Sequence, residues 1–175
     1  MIANNITTTT LAYTEVRAIT EHDIRAFKEI YFEGLYSQLS FLSKKLLDKA
    51  IISDKYLKDL LSNPDMIFFG VYINKSTIGA VAGLAKKSKN TYYITNVYTK
   101  PEFRGKKIMA SLLKYLIFYH RNHHNFESKL LIEVLPSNTS ALNLYFKLSF
   151  IIVDFYYKDF SDDEPYGVFI MELAN

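Results

Sequence analysis

Val97-Tyr98-Thr99-Lys100-Pro101-Glu102-Phe103-Arg104-Gly105-Lys106-Lys107-Ile108-Met109 reads as a strand end, a basic glycine-containing turn and a helix start. Pro101 ends the strand, since it has no N–H to give to a ladder. Met109, Leu112, Leu113, Leu116 and Ile117 recur at helical spacing and predict a helix over Met109–Tyr119 with one buried face. The first N–H groups of such a helix have no acceptor within it, and the helix dipole makes that end positive. With Arg104, Lys106 and Lys107 beside them, these groups suit an anion, and a pyrophosphate is the natural guest. A solvated basic turn that only caps a core helix is the competing reading. The turn is not a P-loop, because Gly-x-x-x-x-Gly-Lys-Ser/Thr is absent.

Reading outward, Thr91–Thr99 precedes this turn as a strand, and Lys129–Leu135 follows the helix as a short, nearly continuous apolar strand. A strand–helix–strand unit needs a crossover, so these two strands are expected to be parallel and adjacent. Met66–Ile73 and Ile78–Ala85 read as a hairpin about Asn74-Lys75-Ser76-Thr77. Upstream lie a strand from Tyr13 to Arg17, a capping-box-like Thr20…Asp23, and a helix carrying Ile24, Phe27, Ile30, Tyr31 and Leu35. A second helix is expected over Ser43–Leu61, stopped by Asn63-Pro64. Downstream come a helix over Thr139–Leu148 and strands at Ile151–Phe155 and Val168–Leu173. The order β-α-α-β-β-β-α-β-α-β-β predicts an α/β (α+β) fold with a mixed sheet and helices on its faces.

Composition bounds the function classes. The 175 residues make one domain, large enough to bury roughly 70% of its extended surface. Residues 1–12 are expected to form a flexible N-terminal arm and residues 13–175 the domain. No cysteine is present, which excludes disulfides, thiolate metal sites and a cysteine nucleophile. The net charge of +3 is too small to argue for nucleic acid, so no nucleic-acid partner is expected. No apolar run is long enough to span a membrane and no leader is visible, so no membrane partner is expected and a cytoplasmic protein is the default.

Two further residues are candidates for chemistry. Glu133 stands in the apolar run Leu131-Ile132-Glu133-Val134-Leu135, where burial would raise its pKa and make it a general base. An outward-facing or ion-paired strand residue is the alternative. Tyr145 lies in the capped helix that begins after Asn138, and its phenol could protonate a leaving group; a plain core tyrosine, one of 14 in the chain, is the alternative.

Together these segments resemble the GNAT superfamily, the GCN5-related N-acyltransferases. The family's phosphate turn, Arg/Gln-x-x-Gly-x-Gly/Ala, falls on Arg104-Gly105-Lys106-Lys107-Ile108-Met109. Its later segment, Asn-x-x-Ala-x-x-Leu-Tyr-x-Lys-x-Gly-Phe, is matched by Asn138, Ala141, Leu144, Tyr145, Lys147 and Phe150. Lys107, Met109 and Ser149 stand where the family has Gly, Gly or Ala, and Gly. A negative φ would accommodate Lys107. Met109 would either crowd the helix start or pack inward.

The resemblance implies a six- to seven-stranded sheet whose central parallel pair splays apart to admit acetyl-CoA. Val97, Tyr98 and Thr99 would line the pantetheine arm. Arg104, Gly105, Lys106, Lys107, Ile108 and Met109 would hold the diphosphate, and Asn138 would touch the cofactor. Tyr145 would protonate the leaving thiolate, and Glu133 would take the proton of the amine. No metal is implied. The acceptor would be a small-molecule or peptide amine, and a homodimer is compatible with the family. Neutralising an alkylammonium at pH 7 costs on the order of 4–5 kcal/mol, so such an acceptor needs a base most. The competing class is a GNAT-fold acyl-CoA-binding or partner-binding module with little turnover.

Other clusters have plain readings. His120, His123 and His124 share a helix face at the negative end of its dipole. Asp159, Asp162, Asp163 and Glu164 read as a solvated hairpin tip that could attract a cationic acceptor, and Glu29, Glu33, Tyr36 and Gln38 as one wall of an acceptor pocket.

Overall fold

The computed structural model describes residues 14–37, 53–73, 76–124, 127–158 and 165–174. The expected arm, residues 43–52 of the expected second helix, Gln38 and the acidic tip at 159–164 lie outside the described residues, and Ser53, expected inside that helix, is instead the extended N-cap at which a helix begins. Seven strands are described: β1 (Thr14–Ala18), β2 (Met66–Ile73), β3 (Thr77–Ser88), β4 (Thr91–Thr99), β5 (Lys129–Val134), β6 (Phe150–Lys158) and β7 (Tyr166–Leu173). Among the described residues four α-helices join them: α1 (Ile24–Ser37), α2 (Asp54–Leu61), α3 (Ile108–His123) and α4 (Thr139–Lys147). Short 3₁₀ turns at Glu21–Asp23 and Pro101–Phe103 lead into α1 and the basic turn.

The sheet order is β1-β2-β3-β4-β5-β7-β6, mixed and open, as the sequence led us to expect. β1 to β4 pair antiparallel, β5 joins β4 in parallel, and β7 and β6 continue antiparallel. Alternation along β2 assigns its two faces. Phe69, Val71 and Ile73 pack with Leu112, Leu113 and Leu116 of α3 and Tyr145 of α4. Phe68 and Tyr72 pack with Phe27, Ile30 and Tyr31 of α1 and Leu57 of α2. Helices therefore cover both faces.

α1 is tied to the sheet at its start. Asp23 accepts from the Thr20 N–H and hydroxyl at 3.0 Å each, and from Arg17 at 2.9 and 2.7 Å. The Arg17 guanidinium holds the Asp23 carboxyl well below the usual range and stacks 3.6 Å from the Tyr72 ring centroid. His120 and His123 of α3 and His124, its C-cap, enter an aromatic cluster. His123 stacks on Tyr119 and His124 on Tyr92, each with ring centroids 4.1 Å apart. His120 is buried, with Nε2 3.0 Å from the Ser128 hydroxyl.

Two departures from the family pattern sit on strained backbone. Lys107 has φ +61° and Ser149 φ +68°, both left-handed. The negative φ that would accommodate Lys107 is not found: the turn keeps the glycine conformation without the glycine. A non-glycine residue there costs roughly 1–2 kcal/mol. Ser149→Gly should relieve this and raise Tm by about 2–4 °C, the scale for about 1 kcal/mol in a domain of this size. A lower Tm in a thermal melt would contradict the strain.

Burial lowers the His120 pKa to about 4, helped by the neighbouring positive charge of His124 and Arg121. The unfolded imidazole titrates near 6.5, so between these values the unfolded chain binds the proton and stability falls as pH falls. Urea unfolding at pH 7 and pH 4.5 should show a smaller loss for His120→Asn than for wild type, by about 1–3 kcal/mol. Equal losses would contradict it.

Candidate active site

β4 and β5 pair only at Thr91–Ile94 with Lys129–Ile132, although β4 runs on to Thr99. On its other edge β4 stays paired, Tyr98 to Val81 and Thr99 to Ala80, across a bulge where Asn96 takes φ +52°. The edge of β4 beyond Ile94 therefore faces no strand among the described residues, and a cleft of ≈ 1220 Å³ opens between the two strands. Its walls come from α1, the basic turn, α4, β5 and β6.

The turn after β4 lines the cleft and has the form of an anion cradle. Gly105 (φ +74°) and Lys107 (φ +61°) flank Lys106, and α3 begins at Ile108 with no side-chain cap on its first turn. A Cβ added at Gly105 would meet nothing within 4 Å, so the turn is open. Ile108 is buried in the core and Met109 packs against it, so the inward alternative holds for Met109. Arg104 does not point straight outward: its Nε donates to the Thr99 carbonyl at 3.1 Å, with the guanidinium 5.8 Å from the Tyr98 ring centroid.

Val97, Tyr98, Thr99, Arg104, Gly105, Lys107, Ile108, Met109 and Asn138 all line the cleft. Lys106 does not; it is exposed, with its ammonium 5.4 Å from the Phe103 ring. The Tyr98 side chain turns to the α1 face, where it packs at 3.2 Å from the Cβ position of Gly34. Asn138 is the N-cap of α4, its Oδ1 accepting from the Ala141 N–H at 3.1 Å, which leaves its amide NH₂ free of that role.

Tyr145 reaches the cleft from α4 while being 4% exposed, and burial pushes its phenol up to about 12. It stays protonated at any physiological pH and engages no hydrogen-bond partner among the described residues.

Glu133 is the residue whose setting differs most from the simplest reading. Ile132 and Val134 point into the α3-side core, so Glu133 points the other way, into the cleft floor. Its carboxylate is not alone. Oε1 accepts from the Tyr156 hydroxyl at 2.8 Å and Oε2 pairs with the Lys158 ammonium. The ion-paired alternative therefore describes it. Lys158 loses some proton affinity to burial, but the bonded Glu133 carboxylate outweighs this and raises its pKa overall. Tyr156 is raised as well, by burial and then by Glu133.

Sequence reading missed Tyr156 and Lys158. It also set Glu29 and Glu33 in the acceptor wall. They bind the buried Lys100 ammonium instead, at 3.6 and 3.2 Å, and clamp α1 to the end of β4. Ile30, Tyr31, Gly34, Leu35 and Ser37 are the α1 residues that meet the cleft.

The profile of the Acetyltransferase (GNAT) family matches residues 24–150. The chain belongs to that family. Solved structures agree in fold. An N-acetyltransferase from Staphylococcus aureus Mu50 is 22% identical with TM-score 0.71, covering 92% of this chain and 97% of that one. A spermidine N-acetyltransferase from Vibrio cholerae, in complex with CoA and spermine, is 17% identical with TM-score 0.71, covering 91% and 94%. The ribosomal-protein-S18-alanine N-acetyltransferase from Escherichia coli is 19% identical with TM-score 0.67, covering 92% and 93%. Curated protein sequences yield no match.

The GNAT cofactor is acetyl-CoA, and the residues present fit it. The cradle is open, and among the described charged residues lining the cleft, Lys87, Arg104, Lys107, Lys114, Lys147 and Lys158 face a single acid, Glu133. That balance favours a phosphate-bearing guest. No helix among the described residues is long and apolar enough to cross a membrane.

Gly105→Pro forces φ to about −65° and should weaken acetyl-CoA binding at least about tenfold by calorimetry, with the fold retained. Wild-type affinity would contradict the cradle.

Proposed function

We propose that this GNAT acetyltransferase moves the acetyl group of acetyl-CoA to a primary amine by direct attack in a ternary complex. One observation carries the reading. Gly105 and Lys107–Met109 of the open turn, Tyr145 and Glu133 all line a single cleft, so a candidate diphosphate site, a phenol and a carboxylate share one space. Bound there, acetyl-CoA supplies an activated thioester. The N–H groups of the turn, with Arg104 and Lys107, would hold its diphosphate. The unpaired edge of β4 at Val97 and Thr99 would take its arm as a sheet edge takes a strand, and the Val97 N–H would polarise the carbonyl oxygen.

Tyr145 holds the proton that the leaving sulfur needs. Its high pKa, above a thiol's ordinary value of about 8.5, means that it shares the proton in a hydrogen bond as sulfur charge develops and gives it up fully only late. Glu133 would accept the proton of the amine, directly or through a water. The chain has no cysteine for a thioester intermediate, which favours direct attack. The named activities of the spermidine and ribosomal-protein-alanine enzymes, both N-acetyltransferases, support an amine acceptor. A module that binds acyl-CoA without turnover would share the cleft, but it would not need a phenol and a carboxylate in its lining.

CoA release over a panel of amines tests the proposal. Tyr145→Phe should lower kcat about 100-fold and leave the acetyl-CoA KM within about twofold. Unchanged kcat removes Tyr145 from the reaction. Acetyl-CoA binding with no amine-dependent release supports the module instead.

A further inference from the structure

The lining of the cleft at Glu133 already holds an ammonium. Lys158 reaches over from β6 across β7 and seats its Nζ on Glu133 Oε2, 5.9 Å from the Tyr156 ring centroid. The Tyr156 hydroxyl completes the carboxylate from the other oxygen. Tyr93 and Tyr166 line the same floor, and both feel the charges of Glu133 and Lys158. Asp154 is the other charged group that acts there, on Tyr93. Both partners keep about a third of their side-chain surface open, 36% for Lys158 and 32% for Glu133, so the pair is reachable from the cleft and can exchange. A carboxylate with tyrosines around it is a recognition site for an alkylammonium. The lysine side chain is itself a primary ammonium on an unbranched alkyl chain.

We infer that Lys158 is a built-in occupant of the acceptor seat, and that acceptors are unhindered primary alkylammonium compounds that bind Glu133 by displacing it. This rests on the acetyl-transfer reading above for the seat's role, but the seat itself can be tested without turnover. An incoming R–CH₂–NH₃⁺ takes the place of the Lys158 ammonium on Oε2, and Lys158 swings out to solvent with its proton. The exchange conserves charge at the carboxylate. Lys158 thereby weakens acceptor binding and sets a threshold that weakly bound amines do not pass.

The test measures n-butylammonium binding to the CoA-loaded protein by ligand-observed NMR, in wild type, Lys158→Met and Lys158→Arg. Lys158→Met should bind at least about fivefold tighter, the scale of one half-exposed ion pair. Lys158→Arg keeps the seat filled and should show no such gain. Adding Glu133→Gln to Lys158→Met should abolish the gain. Tetramethylammonium, which carries the same charge but donates no N–H, should gain little in Lys158→Met. Unchanged or weaker butylammonium binding in a folded Lys158→Met protein overturns the inference, as does an equal gain for tetramethylammonium, which would reflect removal of a positive charge alone. CoA release with n-butylamine, followed in parallel, separates the two readings: tighter binding without release leaves the occupied seat standing and removes acetyl transfer.

Discussion

The parting of two parallel strands governs this molecule. β4 and β5 share their ladder only from Thr91 to Ile94, and beyond that point backbone polar groups on the edge of β4 have no strand to meet. Such groups need partners, so an unpaired stretch inside a sheet is a place for an extended ligand. The gap is held open from both sides. β3 keeps β4 paired to Thr99, and β7 keeps β5 paired to Val134. The turn that follows β4 then places the uncapped start of α3 at one mouth of the gap, while α4 places Tyr145 along its wall.

Cations outnumber acids among the described residues that line the cleft. Cations gather around the turn, where the helix dipole and left-handed backbone at Gly105 and Lys107 already favour an anion. Tyr145, which also lines it, is held in the protonated form by burial. Glu133 has its charge met by Lys158, so that part of the lining is a dipole and not an isolated acid. That arrangement avoids the cost of a half-buried, unpaired carboxylate, and it makes any cationic acceptor compete with a residue of the chain itself.

Much of this was legible in the order of the residues because it is local. Alternation in Met66–Ile73, helical spacing from Met109 to Ile117 and the proline after Lys100 depend on near neighbours, and the elements appear where those patterns put them. The cleft-lining turn was legible for the same reason. The partner of Glu133 was not. Strand order runs β5-β7-β6, so Lys158 meets Glu133 across an intervening strand that comes later in the chain than either. Nothing in the spacing of the two residues marks that meeting. Lys107 misled in another way. Its side chain suggests an ordinary φ, but the turn geometry overrides the residue's preference and keeps it left-handed. Lys100 likewise looked like one basic residue among many until the fold buried it between Glu29 and Glu33.

The account stands on one placement: a CoA diphosphate on the backbone of Gly105–Met109, with its sulfur end carried along the gap to Tyr145. A crystal structure of the protein soaked with CoA measures this directly. The account predicts phosphate density against those N–H groups and a sulfur within about 3.5 Å of the Tyr145 hydroxyl. Phosphate density elsewhere on the surface, or a sulfur remote from Tyr145 with the gap between β4 and β5 closed, would contradict it.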